Sequence, residues 1–323
     1  MKKHILRFLI KQHEAGKTLG RYVIAEQFGV SEHEGRIYAY ISKHLDEILA
    51  VAKGEVKMKE VNQSLTRPNV LILDIETAPL LVRCWGLWKQ NINTDAIVKD
   101  WFILTWAVKW LNESEVYSGR VTPKEALVGD DGRISNDIWQ FVEKADVIIA
   151  HNGRRFDMPR LNTRFILNQL GPPAPYAQID TLDIARRNFA YSSNKLDYIN
   201  KLFQIDRKME TNFKLWDDCC EGDEVALAMM EAYNKNDVGI LEEHYYIVRP
   251  WIKSHPNMGL FVEGDGAKCP SCGGTDIRWL DKFYTTSVNK YSCFRCECGA
   301  IGRSRQTAVG KDERKNILSS TAR

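Results

Sequence analysis

The segment LILDIET, residues 71–77, places two carboxylates, Asp74 and Glu76, within an otherwise apolar run. The run predicts a β-strand, and alternate side chains of a strand point to the same face, so the two acids project together. Burying unpaired carboxylates is expensive unless a cation or hydrogen-bond donors compensate. The pair therefore indicates either a strand end at which both acids reach solvent or a site that binds a cation.

A third acid follows a second predicted strand. The segment DVIIAHNGRRFDMPRLNTRF is typical of a strand, a polar turn and a helix that begins near Asp157 and Pro159, since proline is tolerated in the first helical turn. Asp157 is therefore expected at a strand-to-helix junction, where side chains collect at the end of a sheet. The turn also holds Asn152, Arg154 and Arg155, and the two arginines either bind phosphate or are simply solvated.

A tyrosine and a fourth acid lie on a predicted late helix. Tyr233 and Asp237 are four residues apart in AYNKNDVGILEEHY, which puts them on one helical face. Phosphodiester cleavage needs an oxyanion nucleophile and charge neutralisation on the leaving oxygen, and two hard cations about 4 Å apart supply both. Carboxylate oxygens suit Mg²⁺ or Mn²⁺, and a phenol beside such a site can reach the attacking water through a hydrogen bond.

The order of these motifs is D-x-E on a first strand, then HN-x3-FD, then Y-x3-D on a late helix. This order resembles the DnaQ-like 3′–5′ exonucleases of the ribonuclease H-like fold, in the DEDDy subgroup that has a tyrosine in the last motif. The chain is most similar to predicted exonucleases related to the proofreading domain of family B DNA polymerases, many of them phage-encoded. The similarity covers about residues 69–260, including IDTLDIARRNFAYSSNKLDYINKLF and RPWIKSHPNMG.

The resemblance assigns roles to individual residues. It implies that two Mg²⁺ or Mn²⁺ ions are held by four carboxylates, those of Asp74, Glu76, Asp157 and Asp237. It also implies that Tyr233 orients the attacking water and that Asn152 contacts the terminal nucleotide. Asp180, in IDTL, is expected to be a helix N-cap or structural acid rather than a metal ligand, and Trp101 is expected to serve packing rather than base stacking.

A cysteine cluster near the end of the chain predicts a second metal site. CPSCGG and YSCFRCECGA supply five cysteines, namely Cys269, Cys272, Cys293, Cys296 and Cys298. Four of them are expected to bind one structural Zn²⁺, in a module that resembles zinc ribbons. Cys293 and Cys296 have the standard spacing, whereas Cys298 precedes the glycine that usually follows a knuckle's last ligand, so the choice of four stays open.

The N-terminal segment predicts a small all-α module. Residues 1–50 favour helices, with a break at Gly29-Val30 and Ser31 as the N-cap of a second helix. Helix, short turn and helix is the helix-turn-helix pattern. If the module binds DNA, the second helix enters the major groove and brings five side chains to it, those of Ser31, Glu32, His33, Arg36 and Tyr40. The alternative is a helical cap or a partner-binding module.

The predicted domains are a helix-turn-helix-like module (1–50), a linker (51–68), an exonuclease domain (69–262), a zinc ribbon (263–302) and a basic disordered tail (303–323). Strands are expected at 70–75, 101–109, 115–119 and 146–150. Helices are expected near 136–144, 157–170, 181–189, 194–203 and 223–247, and residues 171–178 are expected to be a rigid connection. Strands followed mostly by helices predict an α/β domain, a ribonuclease H-like mixed sheet with flanking helices.

Composition and charge fit a nucleic-acid enzyme. The chain has 323 residues, 44% of them hydrophobic and 27% charged, with a net charge of +3. Residues 1–68 carry a net charge of +4 and residues 264–323 carry +5, whereas residues 69–263 carry −6. Basic flanks around an acidic centre suit a polyanionic substrate guided to a carboxylate site. No apolar stretch approaches the length of a membrane span and no signal peptide is evident, so a cytoplasmic protein is expected, in a bacterial host if it is phage-encoded.

These observations predict a metal-dependent 3′–5′ exonuclease that acts on nucleic acid, most simply DNA with a 3′ end. Replication or repair proteins are the expected protein partners, and the oligomeric state is left open. Two alternatives remain, because a fold does not determine a substrate. One is a structure-dependent endonuclease or a ribonuclease on the same fold, and the other is a DNA-binding adaptor with a vestigial nuclease site.

Overall fold

The computed structural model describes residues 3–14, 24, 27–28, 68–205 and 211–321. The chain divides into two compact units, Met1–Thr66 and Arg67–Arg323. In the first unit, α1 (Lys3–Glu14) buries Ile5 and Leu9. The predicted second helix of the helix-turn-helix, with Ser31, and the predicted linker up to residue 67 lie outside the described residues, so both stay predictions. No helix among the described residues combines the length and apolar character needed to span a membrane.

The second unit contains a small two-stranded sheet and a central five-stranded sheet. Its strands through residue 180 are β1 (Val70–Thr77), β2 (Leu81–Val82), β3 (Ile97–Lys99), β4 (Ile103–Trp110), β5 (Val116–Arg120), β6 (Val147–Ala150) and β7 (Ala177–Asp180). The central sheet has the order β5-β4-β1-β6-β7, with β4 and β5 antiparallel to their neighbours and β6 and β7 parallel to β1. The first strand is thus the central one.

Helices cover both faces of this sheet. They are α2 (Pro123–Val128), α3 (Gly132–Lys144), α4 (Asp157–Leu167), α5 (Thr181–Asn188), α6 (Leu196–Phe203), α7 (Phe213–Cys220) and α8 (Glu224–Val248). Parallel strands require crossover connections, and α4 supplies the one between β6 and β7. The predicted mixed α/β sheet with flanking helices is confirmed.

The core has two layers, one on each face of the sheet. Leu71, Leu73 and Ile75 belong to the larger cluster, together with apolar side chains of α3 and α4. Val70 and Ile72 belong to the other cluster, which includes the C-terminal half of α8. β1 is apolar at nearly every position because it is covered on both sides, and Asp74 and Glu76 continue the face of Val70 and Ile72.

One prediction within the sheet was wrong. Residues 171–178 were expected to form only a connection, but Ala177 and Gln178 begin β7, which pairs with β6. The strand has only four residues, and a preceding Gly-Pro-Pro hides it from any pattern of alternation. Its position is decided by pairing with β6 rather than by local propensity.

The C-terminal part of the second unit is a three-stranded antiparallel sheet. Its strands are β8 (Ile277–Thr285), β9 (Lys290–Cys296) and β10 (Ile301–Arg303), in the order β10-β9-β8. Residues 303–323 were predicted to be a disordered tail, and this prediction was wrong for the start of the tail. The backbone N–H of Ser304 donates to the Ser292 carbonyl, Val309 is buried, and Lys311–Lys315 form α9.

Candidate active site

The two acids of β1 lie where neighbouring parallel strands have ended. Register pairing of β1 with β6 stops at Ile72, which is opposite Ile149. Asp74 and Glu76 therefore lie beyond the carboxyl end of β6, at the edge of the sheet where open α/β folds bind ligands. On the other side, their partners in β4 are Ala107 and Thr105. These small side chains leave room above the acids.

Helix α8 brings a third carboxylate to this pair. One carboxylate oxygen from each of Asp74, Glu76 and Asp237 lies within 4.8 Å of the others. Asp237 is buried and the other two acids are half-buried. Three negative charges this close repel one another unless a cation compensates, and three hard oxygen donors suit a divalent cation such as Mg²⁺ or Mn²⁺. The donor set therefore fits the metals that the sequence predicts.

Asn234 is a member of this site that sequence reasoning missed. Its side chain is fully buried, and its Nδ2 donates a hydrogen bond of 2.5 Å to Asp74 Oδ2. Asn234 precedes Asp237 by three residues, so both face β1 from the same side of α8. The i, i+3 spacing between Asn234 and Asp237 is the signal in the sequence, and it is a weaker one than the i, i+4 pair of Tyr233 and Asp237.

Asp157 lies beside the three acids at the start of α4. Its Oδ1 accepts a hydrogen bond of 3.2 Å from the backbone N–H of Ile75, the residue between Asp74 and Glu76. Burial raises the pKa of Asp157 to about 7. The hydrogen bond from Ile75 lowers this pKa, but burial is the larger effect. A bound cation would favour the charged form of this carboxyl group.

Tyr233 is buried one helical turn before Asp237. Its ring lies 6.2 Å from the Trp216 ring, centroid to centroid, in an edge-to-face arrangement. The structure thus places Tyr233 on α8 within the larger apolar cluster, and it does not line the cleft beside the carboxylates. Its role toward water stays a prediction.

Asp180 organises the loop that follows β6. Its side chain caps α5, as predicted, by accepting hydrogen bonds from the N–H groups of Leu182 and Asp183. It also accepts from the N–H groups of Asn152 and Arg154. Asn152 has φ +72°, in the left-handed region, which asparagine tolerates better than most residues. The cap residue therefore holds the loop that presents Asn152 to the carboxylates.

The two predicted loop arginines point elsewhere. Neither Arg154 nor Arg155 lines the cleft beside the carboxylates. Arg154 donates to the carbonyl oxygen of Gln178 and lies 3.7 Å from Asp183. Their binding to substrate stays a prediction that this geometry does not favour.

A large cleft opens over the carboxylates, and we call it the carboxylate cleft. It has a volume of about 1580 Å³, larger than the roughly 300–1,000 Å³ of a small-molecule site. Its lining includes the polar side chains of Asp74, Glu76, Asn152, Asp157 and Asp237. The α5–α6 region adds the cations Arg186, Lys195 and Lys201, the last of which is paired with Asp197 at 2.8 Å. His151 supports this wall, because its ring bridges Thr181 Oγ1 and the Asn194 carbonyl.

A smaller cavity, the aromatic pocket, lies on the other side of β1's end. It has a volume of about 630 Å³ and is lined by Thr77, Leu80, Trp101, Arg160, Phe213 and Trp216. The Arg160 guanidinium lies 3.9 Å from the centroid of the Phe156 ring, which itself lines the carboxylate cleft. Trp101, expected to serve packing, therefore also lines a cavity next to Glu76.

The cysteine cluster forms a second metal-binding arrangement. The sulfurs of Cys269, Cys272, Cys296 and Cys298 lie within 4.8 Å of one another. Cys269 Sγ is 3.8 Å from Cys298 Sγ, and Cys272 Sγ is 3.6 Å from Cys296 Sγ. Tetrahedral Zn²⁺ with bonds of about 2.3 Å has sulfur–sulfur edges of about 3.8 Å, so the four thiols fit zinc. Cys293 is excluded because it is three residues from Cys296 on β9 and faces the opposite side of the sheet.

Comparisons with known proteins agree with this fold. Residues 112–247, which span β5 to nearly the end of α8, match the family model described as RNase_H superfamily. The match covers less than half of the chain. Together with the order of the central sheet, it agrees with a ribonuclease H-like fold and supports a nuclease. No curated protein matches the chain.

Among solved structures, the chain is similar to the family B DNA polymerase from the hyperthermophilic archaeon Pyrobaculum calidifontis. The TM-score is 0.42 and the sequence identity 16%, over 56% of this chain. The similar region spans 25% of that polymerase chain.

Proposed function

We propose that this protein is a metal-dependent 3′–5′ exonuclease that hydrolyses phosphodiester bonds of DNA by a two-metal mechanism. The observation that carries the proposal is the convergence of Asp74, Glu76 and Asp237 within 4.8 Å, with Asp157 hydrogen-bonded to the backbone between the first two. Four acids at the carboxyl edge of a ribonuclease H-like sheet supply the oxygen ligands that two divalent cations need.

The bound cations supply a metal-activated water and neutralise charge on the leaving oxygen. The chain's own residues prepare the site for them. Asn234 donates to Oδ2 of Asp74, which fixes the orientation of this carboxylate. The buried position of Asp157 excludes bulk water, and Tyr233, one turn from Asp237, is proposed to hold the attacking water in line by a hydrogen bond.

The two cavities favour cleavage at a strand end. The carboxylate cleft is large and carries Arg186, Lys195 and Lys201, as needed to bind several phosphates of a strand. The aromatic pocket has about the volume needed for one nucleotide and offers Trp101, Phe213 and Trp216, on which a base can stack. We propose that a strand enters through the cleft and places its last base in the pocket, so that its terminal phosphodiester meets the carboxylates.

The test uses oligonucleotides labelled at either end, with Mg²⁺ or Mn²⁺ added. A 3′ label should be released at once as a mononucleotide, whereas a 5′ label should give a descending ladder. A 3′-terminal blocking group should stop both reactions. Internal fragments from a blocked strand would instead establish an endonuclease, preference for the RNA version of the same sequence would establish a ribonuclease, and binding without cleavage would favour the vestigial adaptor.

A further inference from the structure

The C-terminal sheet of β8, β9 and β10 has one face that its fold does not explain. Residues directly opposite each other in antiparallel strands share a face. Arg278 is opposite Arg295, Tyr284 is opposite Tyr291, and Arg303 is opposite Cys293. Because Tyr291, Cys293 and Arg295 alternate along β9, all six side chains lie on one face. We call the five without the cysteine the arginine–tyrosine face.

The opposed arginines are unfavourable for folding. Like charges directly across a strand pair repel each other, and Arg278 and Arg295 are both exposed without an acidic partner among the described residues. Neither position of that pair contributes to the apolar cluster around the cysteines. An anion bound between them would remove the repulsion.

The tyrosines lie next to the third arginine. The Arg303 guanidinium is 4.0 Å from the centroid of the Tyr291 ring and 5.2 Å from that of Tyr284. Tyr284 remains 51% exposed. The guanidinium lies over these rings and adds its own planar surface to theirs. Planar groups of this kind are surfaces on which unpaired bases stack, whereas a duplex hides the faces of its bases. The combination of phosphate-binding arginines and stacking groups therefore fits a single strand better than a duplex.

We infer that the arginine–tyrosine face binds single-stranded nucleic acid, with phosphates at Arg278 and Arg295 and bases at Tyr284, Tyr291 and Arg303. From Arg295 to Tyr291 the face extends about 13 Å along β9, at about 3.3 Å per residue. The inference builds on the proposed function in one respect, namely that the strand bound here belongs to the nuclease substrate. Binding itself can be measured without cleavage.

The test compares two double substitutions with a charge-matched control in the full-length chain. The probe is a fluorescent 20-nucleotide oligo(dT) and, separately, a duplex of the same length, without added Mg²⁺ or Mn²⁺ and without a chelator that would remove zinc. Arg278→Gln with Arg295→Gln should weaken oligo(dT) binding by about tenfold and reduce the salt slope by about 1.4, for two lost phosphate contacts on a single strand. Tyr284→Ala with Tyr291→Ala should weaken binding about tenfold with an unchanged salt slope.

The control, Lys311→Gln with Lys315→Gln, removes the same charge from α9. It should change the affinity less than threefold. Equal losses of affinity in the control and the arginine variant would overturn the site, because net charge alone would then explain the binding. Unchanged binding in both sheet variants would also overturn the site. Equal losses for duplex and single strand would overturn the stacking assignment. Zinc content and circular dichroism verify that each variant is folded. If labelled strands are bound but not cut when Mg²⁺ is added, the proposed nuclease fails while the binding face stands.

Discussion

The carboxylate site and the cysteine site draw their ligands from very different distances along the chain. The paired sulfurs come from residues 24 and 29 positions apart, in the segment before β8 and at the end of β9. In the carboxylate site, α8 meets β1 across 160 positions, as between Asn234 and Asp74. The carboxylates are therefore held by apolar clusters on both faces of the sheet, whereas the thiols are held by little more than Phe294, Ala300 and one another.

This difference indicates which of the two sites depends on its metal for folding. A ribbon with so small an apolar cluster depends on metal binding for its stability. The ribonuclease H-like domain does not depend on metal for its stability. It should be more stable when its clustered acids are neutralised or removed. The donor atoms also differ, since carboxylate oxygens are hard and thiolates soft. The two sites should therefore respond oppositely to loss of their ligands.

The largest expected effect comes from Asp74→Ala, which removes an acid of the carboxylate cluster. Nuclease activity should fall by about 10³-fold or more, because the charge that holds the cations is lost, while the melting temperature does not fall and the zinc content stays unchanged. Asp217→Asn, an exposed acid on α7, should retain full activity. Activity of purified Asp74→Ala equal to wild type would refute the assignment of the site.

The cysteine site can be tested with two serine substitutions on one strand. Cys296→Ser should lose the bound zinc and unfold β8–β10, because structural zinc in small modules contributes on the order of 10 kcal/mol. Cys293→Ser should keep one zinc per chain, since its side chain lies on the opposite face. Metal analysis by mass spectrometry and zinc-release titration distinguish them. The reverse result would mean that Cys293, and not Cys296, is a zinc ligand.

Tyr233→Phe should leave both metal sites intact and slow cleavage by about 10²-fold, the usual range for a lost contact to the reacting water. The phenylalanine keeps the ring contact with Trp216, so the melting temperature should not change. Single-turnover rates at saturating Mn²⁺ measure the chemical step. An unchanged rate would assign Tyr233 to packing alone.

The smallest effect concerns the free energy of unfolding through Asp157. Its pKa is raised from 3.8 to about 7, so the folded chain keeps a proton that the unfolded chain has released. Stability without metal should therefore fall as pH rises from about 4 to 7 and then level off. Asp157→Asn, which removes the titrating group, should raise the melting temperature at pH 8 by on the order of 5 °C and leave it unchanged at pH 4.

The control for this experiment is excess Mn²⁺ at pH 8. Metal binding should stabilise the wild type more than the asparagine variant, which keeps three of the four acids. If the variant melts at the wild-type temperature at both pH values, burial of the charged form does not destabilise the folded chain, and the contrast between the two metal sites loses its energetic basis.

The sequence determined the parts of this protein that depend on periodicity and residue type. Alternation along LILDIET put two acids on one face, helical spacing placed Tyr233 one turn before Asp237, and the crowded cysteines predicted a metal site. These signals are local, because side-chain direction follows from strand and helix geometry alone. The mixed sheet followed from the order of strands and helices, since few arrangements bury all of them.

Tertiary structure decided what depends on which segments meet. It converted residues 177–180 into an edge strand by pairing them with β6, and it turned Arg154 toward Gln178 rather than toward the cleft. It set Asn234 against Asp74 and closed the aromatic pocket from distant segments. It also brought Cys298, and not Cys293, to the other three thiols. Cys293 and Cys296 are both on β9, but their side chains lie on opposite faces of the sheet. None of these outcomes is visible in a local pattern, because each requires two pieces of chain whose contact is set by the packing of the whole domain.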